Sequence, residues 1–299
     1  MADAWAIETL GLRKRFDDVE ALRGVDLRVP RGAIFGFVGR NGAGKTTAIK
    51  VLMGMVRPDG GTARVFGHTA ADRQASVEIR RRTGFVSDEK DLYDVMTVDA
   101  LIRFTAPFFP RWRSDLEERY VRQFELPRQR GVKSLSRGTR TKLALLLALC
   151  RGAELLILDE PTSGLDPAVT EEVLQAIVRH VASEGMTVFF SSHQIPEVEQ
   201  IADHVAIIDR GRIVVAGALD DLRQEFCRVQ LVFDGDAPTA VFRAPGVERV
   251  RRSGHVLSVL SSAGAAPVIE EARALGPRAI DTVPVSLKDI FLESVATEE

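Results

Sequence analysis

Gly39-Arg40-Asn41-Gly42-Ala43-Gly44-Lys45-Thr46-Thr47 fits the G-x-x-x-x-G-K-[ST] pattern of a phosphate-binding loop. Glycines at 39, 42 and 44 let backbone N–H groups turn inward on a polyphosphate, and a helix starting there adds partial positive charge. Lys45 would reach the β- and γ-phosphates, and the Thr46 hydroxyl would hold Mg²⁺. Asn41 and Thr47 belong to the same cradle. The pattern carries weight only between a strand and a helix. Residues 33–38 are an apolar run that reads as a buried strand, and residues 46–55 read as the helix.

A second chemical stretch is Leu155-Leu156-Ile157-Leu158-Asp159-Glu160. An apolar strand would deliver Asp159 to its C-terminal edge beside the phosphate loop, where it could order a magnesium shell. Glu160, next along, could polarise a water aimed at the γ-phosphate. Apolar strands ending in Asp are common, so this pair gains its meaning from the loop upstream.

The elements around these residues alternate. Residues 6–32 read as a hairpin, with strands at 6–12 and 20–29 and a turn at Asp17-Asp18. Further strands are expected at 62–66, 83–86, 154–158, 187–191 and 204–209, and helices at 72–82, 139–149, 168–184 and 195–202. Such alternation argues α/β architecture with a mostly parallel sheet. Residues 98–126 are helical in period and rich in aromatics, including Phe104, Phe108, Phe109, Trp112, Tyr120 and Phe124. Composition shifts after Leu222. Residues 226–299 read as a small appended α+β domain, with β-like pieces at 228–233, 239–242 and 255–260, a helix at 266–275 and a helical tail from 287.

Leu135-Ser136-Arg137-Gly138-Thr139 lies just before the helix that leads to Asp159. With the phosphate loop and the Asp159-Glu160 pair, it makes residues 6–225 resemble the ATP-binding cassette (ABC) family. Ser163-Gly164-Leu165-Asp166 resembles the D-loop, Ser191-Ser192-His193 the switch histidine, and Phe16 stands where the family stacks an aromatic on adenine. Motifs in this serial order are far more specific than any one of them. The resemblance implies a P-loop ATPase with an antiparallel β subdomain and a helical subdomain at about 95–150, in a cassette domain at 1–225 followed by the accessory domain at 226–299. It implies ATP and Mg²⁺ as ligands, with Glu160, His193 and Lys45 as the catalytic set. It also implies a second cassette, the same chain or a related one, whose Ser136 and Gly138 reach the γ-phosphate in trans with Asp166 nearby. A helix N-terminus at Ser136 suits an anion, and Ser136 is equally suited to cap that helix.

The chain departs from the family pattern. Asp88 stands where the usual Q-loop glutamine falls, in Gly84-Phe85-Val86-Ser87-Asp88-Glu89. Asp can ligate Mg²⁺ but, when ionised, donates no hydrogen bond. Arg137 and Thr139 flank the retained Ser136 and Gly138, and Arg40 adds positive charge in a variable loop position. Asp88 and the Ser136-Arg137-Gly138 core together resemble a bacterial branch of exporter-type cassettes. The aromatic stretch has two readings: a groove for a helix of a membrane subunit, or simple subdomain packing.

Bulk properties narrow the class. The 299 residues carry a formal charge of −2 and show no basic stripe, which argues against nucleic acid as a partner. Cys150 and Cys227 offer neither metal spacing nor a disulfide framework. No signal peptide is read at the N-terminus, and the longest apolar run, 143–150, is far short of a membrane span. The expectation is a cytoplasmic ATPase, peripheral on the inner face of the membrane, powering a separately encoded integral permease. The alternative is a soluble ATP-driven switch on a cytosolic complex, disfavoured by the single cassette and the lack of sustained heptads.

Overall fold

β1 (Trp5–Phe16) and β2 (Val19–Pro30) pair antiparallel about Asp17, which takes φ 47°, a left-handed value that Asp tolerates better than most residues. β3 (Ile34–Val38) is buried along its whole length and ends at the phosphate loop, from which α1 (Lys45–Leu52) departs. β4 (Gly60–Val65) and the short β5 (His68–Thr69) complete a four-stranded sheet of order β2-β1-β4-β5. α2 (Arg73–Arg82) starts on Asp72, whose carboxylate accepts from Ala75 N at 2.7 Å, and runs into β6 (Thr83–Val86).

The helical stretch follows: α3 (Val98–Thr105), α4 (Ser114–Gln123) and α5 (Arg137–Leu149). Then come β7 (Leu155–Asp159), α6 (Pro167–Glu184), β8 (Thr187–Ser192), α7 (Ile195–Ile201), β9 (His204–Asp209) and β10 (Arg212–Ala218). The central sheet has the order β10-β9-β3-β8-β7-β6, and every neighbour pair from β9 to β6 is parallel. β3, β7 and β8 at its centre are buried along their whole length, as strands covered on both faces are. Phe35, Phe37 and Phe189 stack through the middle of it. Gly36 is the exception in size: a Cβ there would overlap Val198 Cγ1, so its smallness lets α7 sit against the sheet.

This computed structural model describes residues 4–295 and divides the chain into two compact units, Met1–Ala216 and Gly217–Glu299. The second holds α8 (Leu219–Glu225), β11 (Cys227–Val232), β12 (Val247–Ser253), β13 (Val256–Ser261), α9 (Ala266–Ala272), β14 (Ala279–Pro284) and α10 (Leu287–Val295). Its strands form an antiparallel sheet of order β12-β13-β11-β14. Val229, Leu231, Leu257 and Val259 pack there with Val268 and Ala272 of α9. The α/β core, the antiparallel and helical subdomains and the α+β appendage are the architecture expected from sequence.

One strand expectation is corrected. Residues 239–242 form no strand: the next two N–H groups, of Arg243 and Ala244, donate to the Glu271 carboxylate at 2.8–3.0 Å instead of to a neighbouring strand. The sheet is built from β12 and β14, whose charged or solvated residues gave no apolar alternation to read.

Candidate functional site

Parallel register brings the chemistry to one edge. Val38 is opposite Ser192, Asp159 is opposite Ser191, and Val86 is opposite Leu158. The phosphate loop, the Asp159-Glu160 pair, His193 and the loop carrying Asp88 therefore leave the sheet at the same carboxyl end. That edge is where open α/β sheets bind ligands.

The loop is shaped as a cradle. Gly42 and Gly44 take φ 81° and 111°, and a Cβ on Gly42 would meet nothing within 4 Å. A Cβ on Gly39 would come within 2.5 Å of Ile208 O, so that glycine keeps the loop close to β9. The N-terminus of α1 carries no side-chain cap, which leaves its amide dipoles facing the loop. A cavity of ≈ 380 Å³ opens here, lined by Asn41, Gly42, Lys45, Thr46, Thr47 and Glu160 among others.

Five charged or polar side chains converge beside the loop. Lys45 Nζ donates to Gly39 O at 2.6 Å and Arg40 O at 3.2 Å, and lies 3.0 Å from Glu160 Oε1. That last contact is ionic without being a directed hydrogen bond, since Glu160 Oε1 has no hydrogen-bond donor among the described residues. His193 Nδ1 is 2.7 Å from Glu160 Oε2. Ser191 ties the two acids together: its hydroxyl donates to Asp159 Oδ1 at 2.6 Å and accepts from Glu160 N at 3.0 Å. Glu160 sits at φ 48°, a left-handed value a non-glycine residue adopts only when its surroundings hold it there.

Two buried side chains were not singled out from the sequence. Lys90 is only 5% exposed, and its ammonium donates to Glu160 O at 2.9 Å and lies 3.7 Å from Asp88 Oδ1. Burial pushes the Lys90 pKa below its ordinary value, with Asp88 opposing. Glu197 in α7 accepts from Thr162 Oγ1 at 2.5 Å and from Ser192 Oγ at 3.1 Å, joining the turn after Glu160 to the segment carrying His193. Lys90 follows Asp88 in a polar loop, and Glu197 opens a short helix, so both read as solvated charges.

The residues present fit a magnesium ion shared with a bound polyphosphate. Thr46, Asp88 and Asp159 line one cavity of ≈ 590 Å³. No three His, Cys, Asp or Glu cluster as an all-protein metal cage among the described residues. One hydroxyl and one or two carboxylates are the sparse donor set that Mg²⁺ takes when phosphates and water supply the rest.

The remaining expected ligands stand apart from the cradle. Ser136 caps α5, accepting from Thr139 N at 3.2 Å, and is exposed. Gly138 lies where a Cβ would press within 3.2 Å of Val169 Cγ1, and Asp166 caps α6 through Val169 N at 3.0 Å. Phe16 is 45% exposed at the hairpin end, with the Lys14 ammonium 5.1 Å from its ring centroid. It is outside the cavity wall, to which its strand partner Val19 contributes.

The aromatic stretch divides. Tyr120 and Phe124 are buried and stacked at 5.3 Å. Phe104 and Phe108 are exposed and form an edge-to-face row with Tyr93. Phe109 lines the ≈ 590 Å³ cavity, with the Arg151 guanidinium 3.9 Å above its ring. Trp112 is half-buried, its indole donating to Glu117 at 2.9 Å.

The ABC transporter family model matches residues 22–163. The chain is 38% identical over 224 residues to the daunorubicin/doxorubicin resistance ATP-binding protein DrrA of Streptomyces peucetius, covering 73% of this chain and 67% of that one. It is 32% identical over 317 residues to the daunorubicin resistance ATP-binding protein DrrA3 of Streptomyces coeruleorubidus, covering 100% and 95%. A solved structure described as the ATP binding subunit of an ABC transporter superposes with TM-score 0.66 at 28% identity, covering 73% of this chain and 92% of that one.

Proposed function

This chain belongs to the ABC transporter ATP-binding family as an ATP-binding, ATP-hydrolysing subunit, and from that premise we propose that it powers export through a separate membrane permease. The relatives named for drug resistance support the direction. No helix among the described residues is long and apolar enough to cross a membrane, so translocation falls to a partner. The chain would act at the cytoplasmic face, paired with a second cassette.

The roles follow from the site. Lys45 would leave Glu160 for the β- and γ-phosphates, attracted by their greater charge. Glu160, so released, would polarise the attacking water, and His193 would hold the far carboxylate oxygen and fix its aim. Bound Mg²⁺, held by Thr46 and Asp159 with Asp88 in reach, would neutralise charge on the phosphate oxygens. Ser136 and Gly138 would close over nucleotide held by the partner cassette. Phosphoryl transfer needs this positioning and charge more than covalent chemistry.

The observation that carries the reading is the convergence of Lys45, Glu160 and His193 over a glycine cradle at the sheet's carboxyl edge. The row of Tyr93, Phe104 and Phe108 supports a helix-binding face for the permease. The test is a mild-detergent pull-down of the tagged chain from its own cells. A polytopic membrane protein in comparable amount is expected. A ribosomal or other cytosolic partner instead would overturn the transporter reading in favour of a soluble switch.

A further inference from the structure

Lys90 is the one buried ammonium besides Lys45 among the described residues. Its backbone turns at φ 49°, closed by Lys90 N donating to Ser87 O at 3.3 Å, so the loop after β6 folds back on itself. The ammonium donates to the main-chain carbonyl of Glu160 at 2.9 Å. The other donor to that carbonyl is Ser163 N, at a longer 3.3 Å. Glu160 itself is held at φ 48°, and its side chain is aimed by this unusual backbone. A cation gripping the carbonyl of a residue in a strained conformation is how such a conformation is kept.

The same loop has a second face. Asp88, Glu89, Lys90, Asp91 and Leu92 line the ≈ 590 Å³ cavity together with Phe109 and Leu147. Asp88 also lines the cavity at the phosphate loop. One short segment thus touches the groove, the nucleotide side and the backbone of the candidate base.

We propose that Lys90 is a positioning residue for ATP hydrolysis: it clamps the Glu160 main chain, and so sets turnover while leaving ATP affinity nearly untouched. The clamp rests on Glu160 acting as the base. Lys90 is not among the residues lining the cavity at the phosphate loop, so nucleotide binding there should depend on it little.

Steady-state ATPase of the full chain tests this, with Glu160→Gln as the control for the base. Lys90→Met should lower kcat by about 10–100-fold, the cost of misplacing a reacting group by an ångström or less, with KM for ATP within about 3-fold of the parent. Lys90→Arg keeps a cationic donor and should restore most of kcat. Lys90→Gln, neutral but still a donor, should fall between, and serves alone if the Met variant does not fold. Parental kcat in Lys90→Gln or Lys90→Met, or a rise in KM with kcat retained, overturns the clamp. Full turnover in Glu160→Gln instead overturns the base assignment beneath it.

Discussion

Lys45 Nζ lies 3.0 Å from Glu160 Oε1, with both side chains more than nine-tenths buried. The cation that phosphates would claim is held by the carboxylate expected to act as base. Removing both charges from water is costly, each offsets part of that cost for the other, and the chemistry proposed for both begins when a polyphosphate separates them. Because Lys45 spends its directed hydrogen bonds on Gly39 O and Arg40 O, only a charge contact must break.

Lys45→Ala should therefore have two separable effects. ATP binding, followed by calorimetry, should be abolished. Stability should fall by about 3 kcal/mol, because Glu160 loses a buried partner. Adding Glu160→Gln should recover most of the stability in urea melts and none of the binding. Independent losses that simply add would show that the pair is not coupled.

Glu160→Gln alone should keep ATP binding and lower kcat by about 10²–10⁴-fold, the range for a lost general base. ATP affinity should stay equal or tighten, since Lys45 no longer has a competing carboxylate. Equilibrium binding beside single-turnover hydrolysis reads both at once.

Gly36→Ala tests the packing that sets the His193 segment. The added methyl would overlap Val198 Cγ1, on a β-branched side chain that cannot swing away. A loss of about 1–3 kcal/mol is expected in denaturant melts. Val198→Ala in the same chain should return part of it; no return would place the strain elsewhere.

Much of this site is readable from the chain because its signals are local. The phosphate loop declares itself by glycine spacing between an apolar run and a helix, and Asp159 by the apolar strand before it. Lys90 could not be read this way. Its burial depends on a left-handed turn and on a carbonyl 70 residues away in sequence. Glu197 likewise reads as a helix-surface carboxylate, yet receives two hydroxyls in the interior. In Gly217–Glu299, β12 and β14 escaped because an edge strand with charged or solvated residues lacks the alternation that marks a strand facing a core.

A final prediction concerns pH. His180 is 2% exposed in α6, and Tyr120 OH stands 2.9 Å from its Nδ1. Burial is the main cause that pushes its pKa down to about 4; nearby Glu184 opposes it, while Arg119 and Arg113 add to it. The folded protein therefore keeps this ring neutral where the unfolded chain, near the ordinary 6.5, takes up a proton. Stability from this group is fully present above about pH 6.5 and is lost as pH falls from there toward about 4. The loss should reach about 2 kcal/mol by pH 5, relative to pH 8. Urea melts of the parent and of His180→Gln at both pH values isolate it from the carboxylates that titrate in the same range. The substituted chain should lose about 2 kcal/mol less on acidification. Equal losses in the two chains would mean that His180 is already protonated in the folded state, and that its bond with Tyr120 is donated from the ring.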